Sequence, residues 1–475
     1  MLMTKKILVG GEWRTTSETL EVKFPYDGHV VDSVYMAQPQ DLEDAIAAAQ
    51  RGFEVARKLP SYKRTEILQN LHRLMSEHFD DFVELMILEG GKNRKTAIGE
   101  MKRALQTIAI SAEEARRLQG EVFDIDWTSA GENRKGFTQR VPIGIVLAIT
   151  PFNYPINLAC HKIGPAMAVG NAIILKPAEK TPLSSVLLAE LVLEAGYAPE
   201  AFSMVNCWGQ LAQSMVIDPR IAMLSFTGSA SVGWMLKGQA SRKKVVLELG
   251  GNAGVIVHQD ANASLAVRET ASGGFANAGQ NCISVQRLLV HEAIYDEFIP
   301  SFVDAVGALN VGDPRDADTD VGPLITENDA LRAASWVEEA QAAGAEVICG
   351  NKREGTLFWP TVLTETSPDM KVRCEEVFAP ILTISPYSEW DEAIETINDS
   401  PYGLQAGLFT NDMSLIMDAW NRIEVGGLQV NSASTFRVDH MPYGGVKSSG
   451  YGREGVKYTI EEMTELRLMV INMNK

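Results

Sequence analysis

Across residues 41–118 apolar residues recur three and four positions apart, as at Ile67, Leu71, Leu74 and Phe79. That is the spacing of helices with one buried face. From residue 141 the rhythm changes to short apolar runs at 141–149, 172–175, 202–205 and 221–226, separated by helical stretches such as 183–195. Strand and helix alternating in this way predict a parallel sheet of the doubly wound kind. The alternation restarts after Glu248-Leu249-Gly250-Gly251, with runs at 253–257 and 284–290. The pattern therefore predicts an α/β fold of two doubly wound units, 1–118 with 140–247 and then 248–455. Segment 119–139 is polar with weak alternation, whereas 466–471 is a strong strand-type run. A strand near a chain end must pair or remain a sticky edge. Segments 119–139 and 456–475 are thus expected to form a small β extension, pairing with each other or with another subunit.

A chain of 475 residues exceeds one ordinary hydrophobic core, which agrees with that division. With 45% apolar and 22% charged residues, it belongs with globular proteins, not disordered or fibrous ones. The net charge of −18, from 61 acidic against 43 basic residues, argues against broad binding to nucleic acid or anionic membranes. A pocket can still carry the opposite local sign. The most apolar stretch, 143–175, is broken by Pro151, Pro155 and Pro165 and carries His161 and Lys162, so no membrane span is expected. The start, Met1-Leu2-Met3-Thr4-Lys5-Lys6, precedes only Ile7, Leu8 and Val9 before Gly10, far short of a signal peptide. Cys160, Cys207, Cys282, Cys349 and Cys374 lie scattered without metal-ligand spacing. They point to reduced thiols in a cytoplasmic protein with no metal site.

Cys282 stands apart from the other four in the run GGFANAGQNCIS (273–284), where small residues let ligands approach the backbone. It is a candidate nucleophile, against the ordinary reading of a buried, inert thiol. Glu248 sits at the end of the apolar run 245–247, before two glycines, either reaching an open site as a base or lying on a solvated turn. Asn153 follows a buried strand in TPFNYP, where its amide could donate to an oxyanion or simply close an Asx-turn.

Seven segments stand in order along the chain: TPFNYP (150–155), LKPAEKTP (175–182), FTGS (226–229), ELGGN (248–252), GQNC (279–282), EEVFAP (375–380) and PYGGVKSSGYGRE (442–454). Together they resemble the aldehyde dehydrogenase superfamily from about residue 7 to the C-terminus, with the 34-residue interval from Glu248 to Cys282 that its pattern requires. The resemblance implies a soluble, non-acylating enzyme in which Cys282 attacks the aldehyde carbon, Asn153 and the Cys282 N–H stabilise the oxyanion, and Glu248 activates water to hydrolyse a thioester. It implies that Lys162 and Glu454 relay the proton, and that the first unit binds NAD(P) while the second is catalytic. For the dinucleotide it implies Lys176 and Glu179 at the adenine ribose, Phe226, Thr227, Gly228 and Ser229 at the diphosphate, and Glu376 with Phe378 at the nicotinamide ribose. Thr150, Pro151, Phe152 and Leu249 complete that surface. The common GxGxxG fingerprint is absent, as the FTGS version of this family explains. Asn281 departs from the Gly or Arg that many members carry before the nucleophile and touches the substrate pocket.

Two rivals follow. Acylating members, which pass the thioester to coenzyme A, commonly lack the carboxylate that Glu248 supplies. Non-catalytic relatives typically lose the nucleophile. For the cofactor, Glu179 would repel the 2′-phosphate of NADP, so NAD is expected, with NADP possible through Lys176 and Lys180. The resemblance places Arg103, Tyr154, His161 and Arg437 around the aldehyde tunnel, where relatives for uncharged aldehydes carry apolar or aromatic residues. Similar placements occur in members handling phosphonoacetaldehyde, glyceraldehyde 3-phosphate, sulfolactaldehyde and lactaldehyde. A small aldehyde with a phosphonate, phosphate, sulfonate or carboxylate is the expected substrate, a small hydroxy-aldehyde such as lactaldehyde the runner-up. Salt bridges on a surface are the ordinary alternative for the two arginines. A homodimer or homotetramer is expected.

Overall fold

The computed structural model describes residues 4–473; Met1, Leu2 and Met3 of the N-terminal reading, and Asn474 and Lys475 of the terminal segment, lie outside the described residues. Five parallel strands form the centre of the first sheet, in the spatial order Phe202–Met204, Ala172–Lys176, Ile145–Ile149, Ile221–Thr227, Lys244–Glu248. These strands are buried almost throughout. Covered on both faces, they read as continuous apolar runs and not as alternation. Ile7–Val9 and Glu12–Arg14 extend one edge antiparallel, and Gly450–Tyr451 closes the other. Strand order reverses at Ile145–Ile149, so a crevice opens beyond the carboxyl ends of this strand and Ile221–Thr227.

The helical rhythm of 41–118 resolves into Pro39–Ala56, Ser61–Glu77, Phe79–Gly90 and Arg94–Glu114. Ile67, Leu71 and Leu74 bury one face of a single helix, while Phe79 opens the next, because the backbone turns at His78. The apolar run 141–149 is two elements. Gly144, at φ +131°, separates Arg134–Pro142 from Ile145–Ile149, and the two strands belong to different sheets.

The second sheet runs Glu346–Cys349, Thr361–Thr364, Ile381–Tyr387, Val285–His291, Ala253–Val257, Gln405–Phe409, Gly427–Val430, parallel except at the first pair. Val255 and Val257 join the core on one face and Ile256 the core on the other, as the two-residue period of a strand requires. The architecture is α/β, with two doubly wound sheets and a small β extension.

That extension is a three-stranded sheet. Thr464–Asn472 pairs antiparallel with Arg134–Pro142 along its whole length, Thr464 opposite Pro142 and Asn472 opposite Arg134, and Val122–Asp124 flanks the far side. The terminal run thus finds a partner within the chain, no described strand pairs with its outer edge, and Leu466, Leu468, Met469, Val470 and Ile471 are exposed. The chain returns to the first unit before this strand. Gly450–Tyr451 pairs with Lys244–Glu248, and helix Val456–Glu462 buries Val456 and Ile460 in the first core, a segment the sequence pattern divided between the second unit and the extension. No described helix is long and apolar enough to cross a membrane.

Candidate active site

Three segments leave the first sheet at its carboxyl ends: Pro151 to Tyr154 after Ile145–Ile149, Thr227 to Ser229 after Ile221–Thr227, and Glu248 with Leu249 from Lys244–Glu248. The second unit answers with Asn281 and Cys282 beyond helix Ala263–Phe275, Glu376 and Phe378 before Ile381–Tyr387, and Arg437 and Tyr443. With Arg103 they line one cavity of about 530 Å³. The two glycines after Glu248 are required by close approach. A Cβ on Gly250 would lie 2.3 Å from the Glu376 carboxylate, and one on Gly251 would lie 2.1 Å from the Cys282 carbonyl oxygen.

The turn before Cys282 is held by amides. Asn277, Ala278 and Gly279 are all left-handed, a costly backbone for the first two. The Asn277 and Asn153 side chains both donate to the Gln280 carbonyl, at 3.3 and 3.0 Å, while Gln280 Oε1 accepts from Ile325 N–H at 2.9 Å. The Cys282 sulfur lies 3.2 Å from the Tyr443 hydroxyl and 3.8 Å from Asn281 Oδ1. Burial pushes its thiol up to about 11, while the Tyr443 hydrogen bond pulls the other way. Glu248 is 3% exposed, and neither of its carboxylate oxygens has a hydrogen-bond partner among the described residues. Burial, reinforced by nearby Glu454, holds its carboxyl well above the usual carboxylate range.

Behind this pair stands a wall of buried charge. Lys162 Nζ donates to Glu454 at 2.9 Å, and Arg437 Nη2 donates to the other Glu454 oxygen at 3.2 Å. Asp439 accepts from both Arg103 Nη2 and Arg103 Nε, at 2.8 and 3.2 Å, and from Asn157 Nδ2 at 3.1 Å. His161 Nε2 lies 2.8 Å from Asp439 and 3.3 Å from Arg437. The Arg437 guanidinium stacks 3.6 Å from the centre of the Tyr443 ring. Burial works to raise the Glu454 pKa, but Lys162, His161 and Arg437 outweigh it and hold the group at about 2. Burial, then Arg437, lowers His161.

Residues 13–469 match the Aldehyde dehydrogenase family. The chain belongs to that family. It is 45% identical over 468 residues, 98% of each chain, to the 3-sulfolactaldehyde dehydrogenase of Priestia aryabhattai. To the lactaldehyde dehydrogenase of Methanococcus aeolicus it is 36% identical over 471 residues, 98% of this chain and 100% of that one. The glyceraldehyde-3-phosphate dehydrogenase GapN of Methanocaldococcus jannaschii, solved with NADP, superposes with a TM-score of 0.92 at 38% identity, over 97% of this chain and 99% of that one.

Within this aldehyde dehydrogenase the expected site residues do not all reach the cavity. Thr150, Phe226 and Lys176 are buried and do not line it, and Lys176 Nζ pairs at 2.6 Å with Glu179, which lines a separate cavity with Lys180. Lys162, Glu454 and His161 are fully buried behind the cavity wall, so His161 stands behind the tunnel instead of lining it.

The crevice fits a dinucleotide. Thr227 Oγ1 is buried with no hydrogen-bond partner among the described residues, and Ser229 precedes helix Ala230–Gln239, whose first N–H groups suit a diphosphate. Glu376, accepting from Gly251 N–H at 2.9 Å and pushed up to about 7 by burial, faces the same space. The sequence reading does not single out Asn157, Asp439 or Tyr443. The available signals were Asp439 two positions beyond Arg437, and a hydroxyl carried by the aromatic residue of PYGG.

Proposed function

We propose that this aldehyde dehydrogenase uses NAD(P) to oxidise a short aldehyde bearing an anionic group to its carboxylate. The convergence of Cys282 with the unpartnered carboxyl of Glu248 in one cavity carries the chemistry. Cys282 attacks the aldehyde carbon, and the carbonyl electron pair moves to oxygen. The second N–H of Asn153 and the backbone N–H of Cys282 donate to that oxyanion. When bound, the nicotinamide supplies the hydride acceptor, which leaves a thioester on Cys282. Glu248 takes a proton from the water that attacks the thioester, and the sulfur departs as thiolate. Glu454 and Lys162, joined at 2.9 Å, then carry the proton outward. Glu248 favours hydrolysis over transfer to coenzyme A, and Cys282 favours catalysis over a purely structural role.

The dinucleotide lies along Thr150, Pro151, Phe152, Phe226 and Leu249. Gly228, Ser229 and the following helix take its diphosphate, Lys176 and Glu179 the adenine ribose, and Glu376 with Phe378 the nicotinamide ribose. A carboxylate at Glu179 repels a 2′-phosphate, so NAD is preferred. The NADP bound to GapN is the counterweight.

Charge carries the substrate reading. In the charge network of the cavity wall Arg437 and Lys162 share Glu454 and Arg103 pairs with Asp439, three cations meeting two carboxylates, while Asp329 and Arg332 add one charge of each sign to the lining and burial raises the Glu248 carboxyl and lowers His161. Arg437 Nε is also buried with no hydrogen-bond partner among the described residues. An anion on the substrate balances that excess, and guanidinium suits bidentate contact with it. Tyr154 and Asn281 line the same tunnel. The sulfonate and phosphate named for two relatives agree. A small hydroxy-aldehyde is the second reading, favoured by the pairing of Arg103 with Asp439 and by the lactaldehyde relative.

Cys282→Ala should abolish turnover and leave dinucleotide binding intact, while Glu248→Gln should accumulate acyl-enzyme with a burst of NADH. Near-normal turnover in Cys282→Ala would sink the scheme. Comparing kcat/KM for NAD and NADP tests the cofactor preference; a clear NADP preference refutes it. The exposed, apolar edge of Thr464–Asn472 favours an intersubunit sheet in a homodimer or homotetramer. Deleting residues 464–475 should yield inactive monomers or insoluble protein, whereas light scattering from an active, monomeric full-length enzyme would contradict that assembly. Finally, Arg103→Ala should raise KM for sulfonate or phosphate aldehydes by about tenfold or more, the scale of one lost charge-assisted hydrogen bond, with little change for propionaldehyde. Arg437→Ala should add to that loss a fall in turnover of every aldehyde, because Arg437 also stacks on Tyr443 beside Cys282. A wild-type enzyme that prefers uncharged aldehydes by kcat/KM would assign both arginines to structure alone.

A further inference from the structure

We infer that the Tyr443 hydroxyl is a catalytic hydrogen-bond donor to the sulfur of Cys282, supporting the thiolate both when it attacks and when it is released. The assignment rests on Cys282 being the nucleophile. Tyr443 is 4% exposed, its Oη lies 3.2 Å from Sγ, and among the described residues that sulfur is its one hydrogen-bonding partner.

Which atom donates follows from chemistry. Burial, then the neighbouring Cys282, pushes the phenol well above its ordinary range, so it keeps its proton throughout the working pH range. A thiolate has lone pairs and no proton, so the hydrogen between the two atoms comes from oxygen. The Arg437 guanidinium, 3.6 Å from the ring centre, draws electron density from the phenol and strengthens the donor. Arg437 is itself held by Glu454, so the ring has a fixed neighbour on that face.

The proton balance is simple. Tyr443 already carries its proton and cannot take the one from the thiol, which passes to Glu248 or to water. The electron pair left on sulfur forms the C–S bond, and the charge that the hydroxyl supported moves to the aldehyde oxygen. When the thioester is hydrolysed, the C–S electron pair returns to sulfur and meets the same hydroxyl. One donor therefore serves acylation and deacylation, at a position where a phenylalanine ring would fill the same space without that contact.

Glu376, Arg437 and Glu248 act on Cys282 by charge and Tyr443 by its hydrogen bond, with the Tyr154 phenol also nearby, so the test must change one of them without moving the others. Tyr443→Phe keeps the ring beneath Arg437 and removes only the hydroxyl. Iodoacetamide labelling of Cys282, followed by mass spectrometry of its peptide, needs neither aldehyde nor dinucleotide. Between about pH 7 and 10, labelling of the variant should be slower by about three- to tenfold at every pH, after allowing for the greater nucleophilicity of a more basic thiolate. Its kcat/KM for aldehyde should fall similarly, with NAD binding unchanged as the check that it is folded. Superimposed labelling profiles for wild type and Tyr443→Phe would overturn this assignment alone. Retained turnover in Cys282→Ala would overturn it together with the reading beneath it.

Discussion

Charge taken out of water must be paired, and here that demand joins the two halves of the chain. His161 and Lys162 sit side by side on helix Pro155–Val169, both fully buried. Their partners, Asp439 and Glu454, come from more than 270 residues further along. Removing one partner from such a pair leaves an uncompensated buried charge, at a cost of about 3–5 kcal/mol. The network therefore pins the segment 437–454 against the first unit. The same pinning stacks Arg437 on Tyr443 and sets Tyr443 against Cys282.

Burial also explains why two neighbouring carboxylates differ so much. Glu454 accepts from Lys162 and Arg437 and stays ionised far into the acid range. Glu248, equally buried, accepts from nothing among the described residues, and Glu454 adds repulsion, so its proton affinity rises. Environments that push two acids apart in this way give neighbouring carboxyl groups one low and one high proton affinity. Cys282 experiences the same low-polarity surroundings, and its thiol is raised as well. Charge that develops on Cys282 or on the aldehyde oxygen is met by Tyr443, Arg437 and the Asn153 amide.

Backbone constraints explain the motifs more fully than side chains do. The second glycine of ELGG exists because the Cys282 carbonyl occupies the space of a Cβ, and the first because Glu376 does. Three motifs far apart in sequence are thus one packing problem. The left-handed run at Asn277, Ala278 and Gly279 solves another part of it, turning the chain so that Cys282 faces Glu248's strand.

Periodicity by itself determined the central strands of the first sheet, two strands of the second and the helical character of 41–118, while the resemblance carried by the motifs grouped Asn153, Glu248 and Cys282 as one candidate site. Those features are local: burial on both faces makes a strand continuously apolar, and close approach demands glycine at fixed spacing. Tertiary structure alone decided the rest. It split 141–149 at Gly144 between two sheets, started a new helix at Phe79, and returned 450–462 to the first unit. It withdrew His161 behind the cavity wall and brought Asp439 and Tyr443 to it. Which side chain meets which charge depends on three-dimensional neighbours hundreds of residues away, and the sequence flanking Asp439 or Tyr443 marks each as a candidate without naming the buried cation or sulfur that it will face.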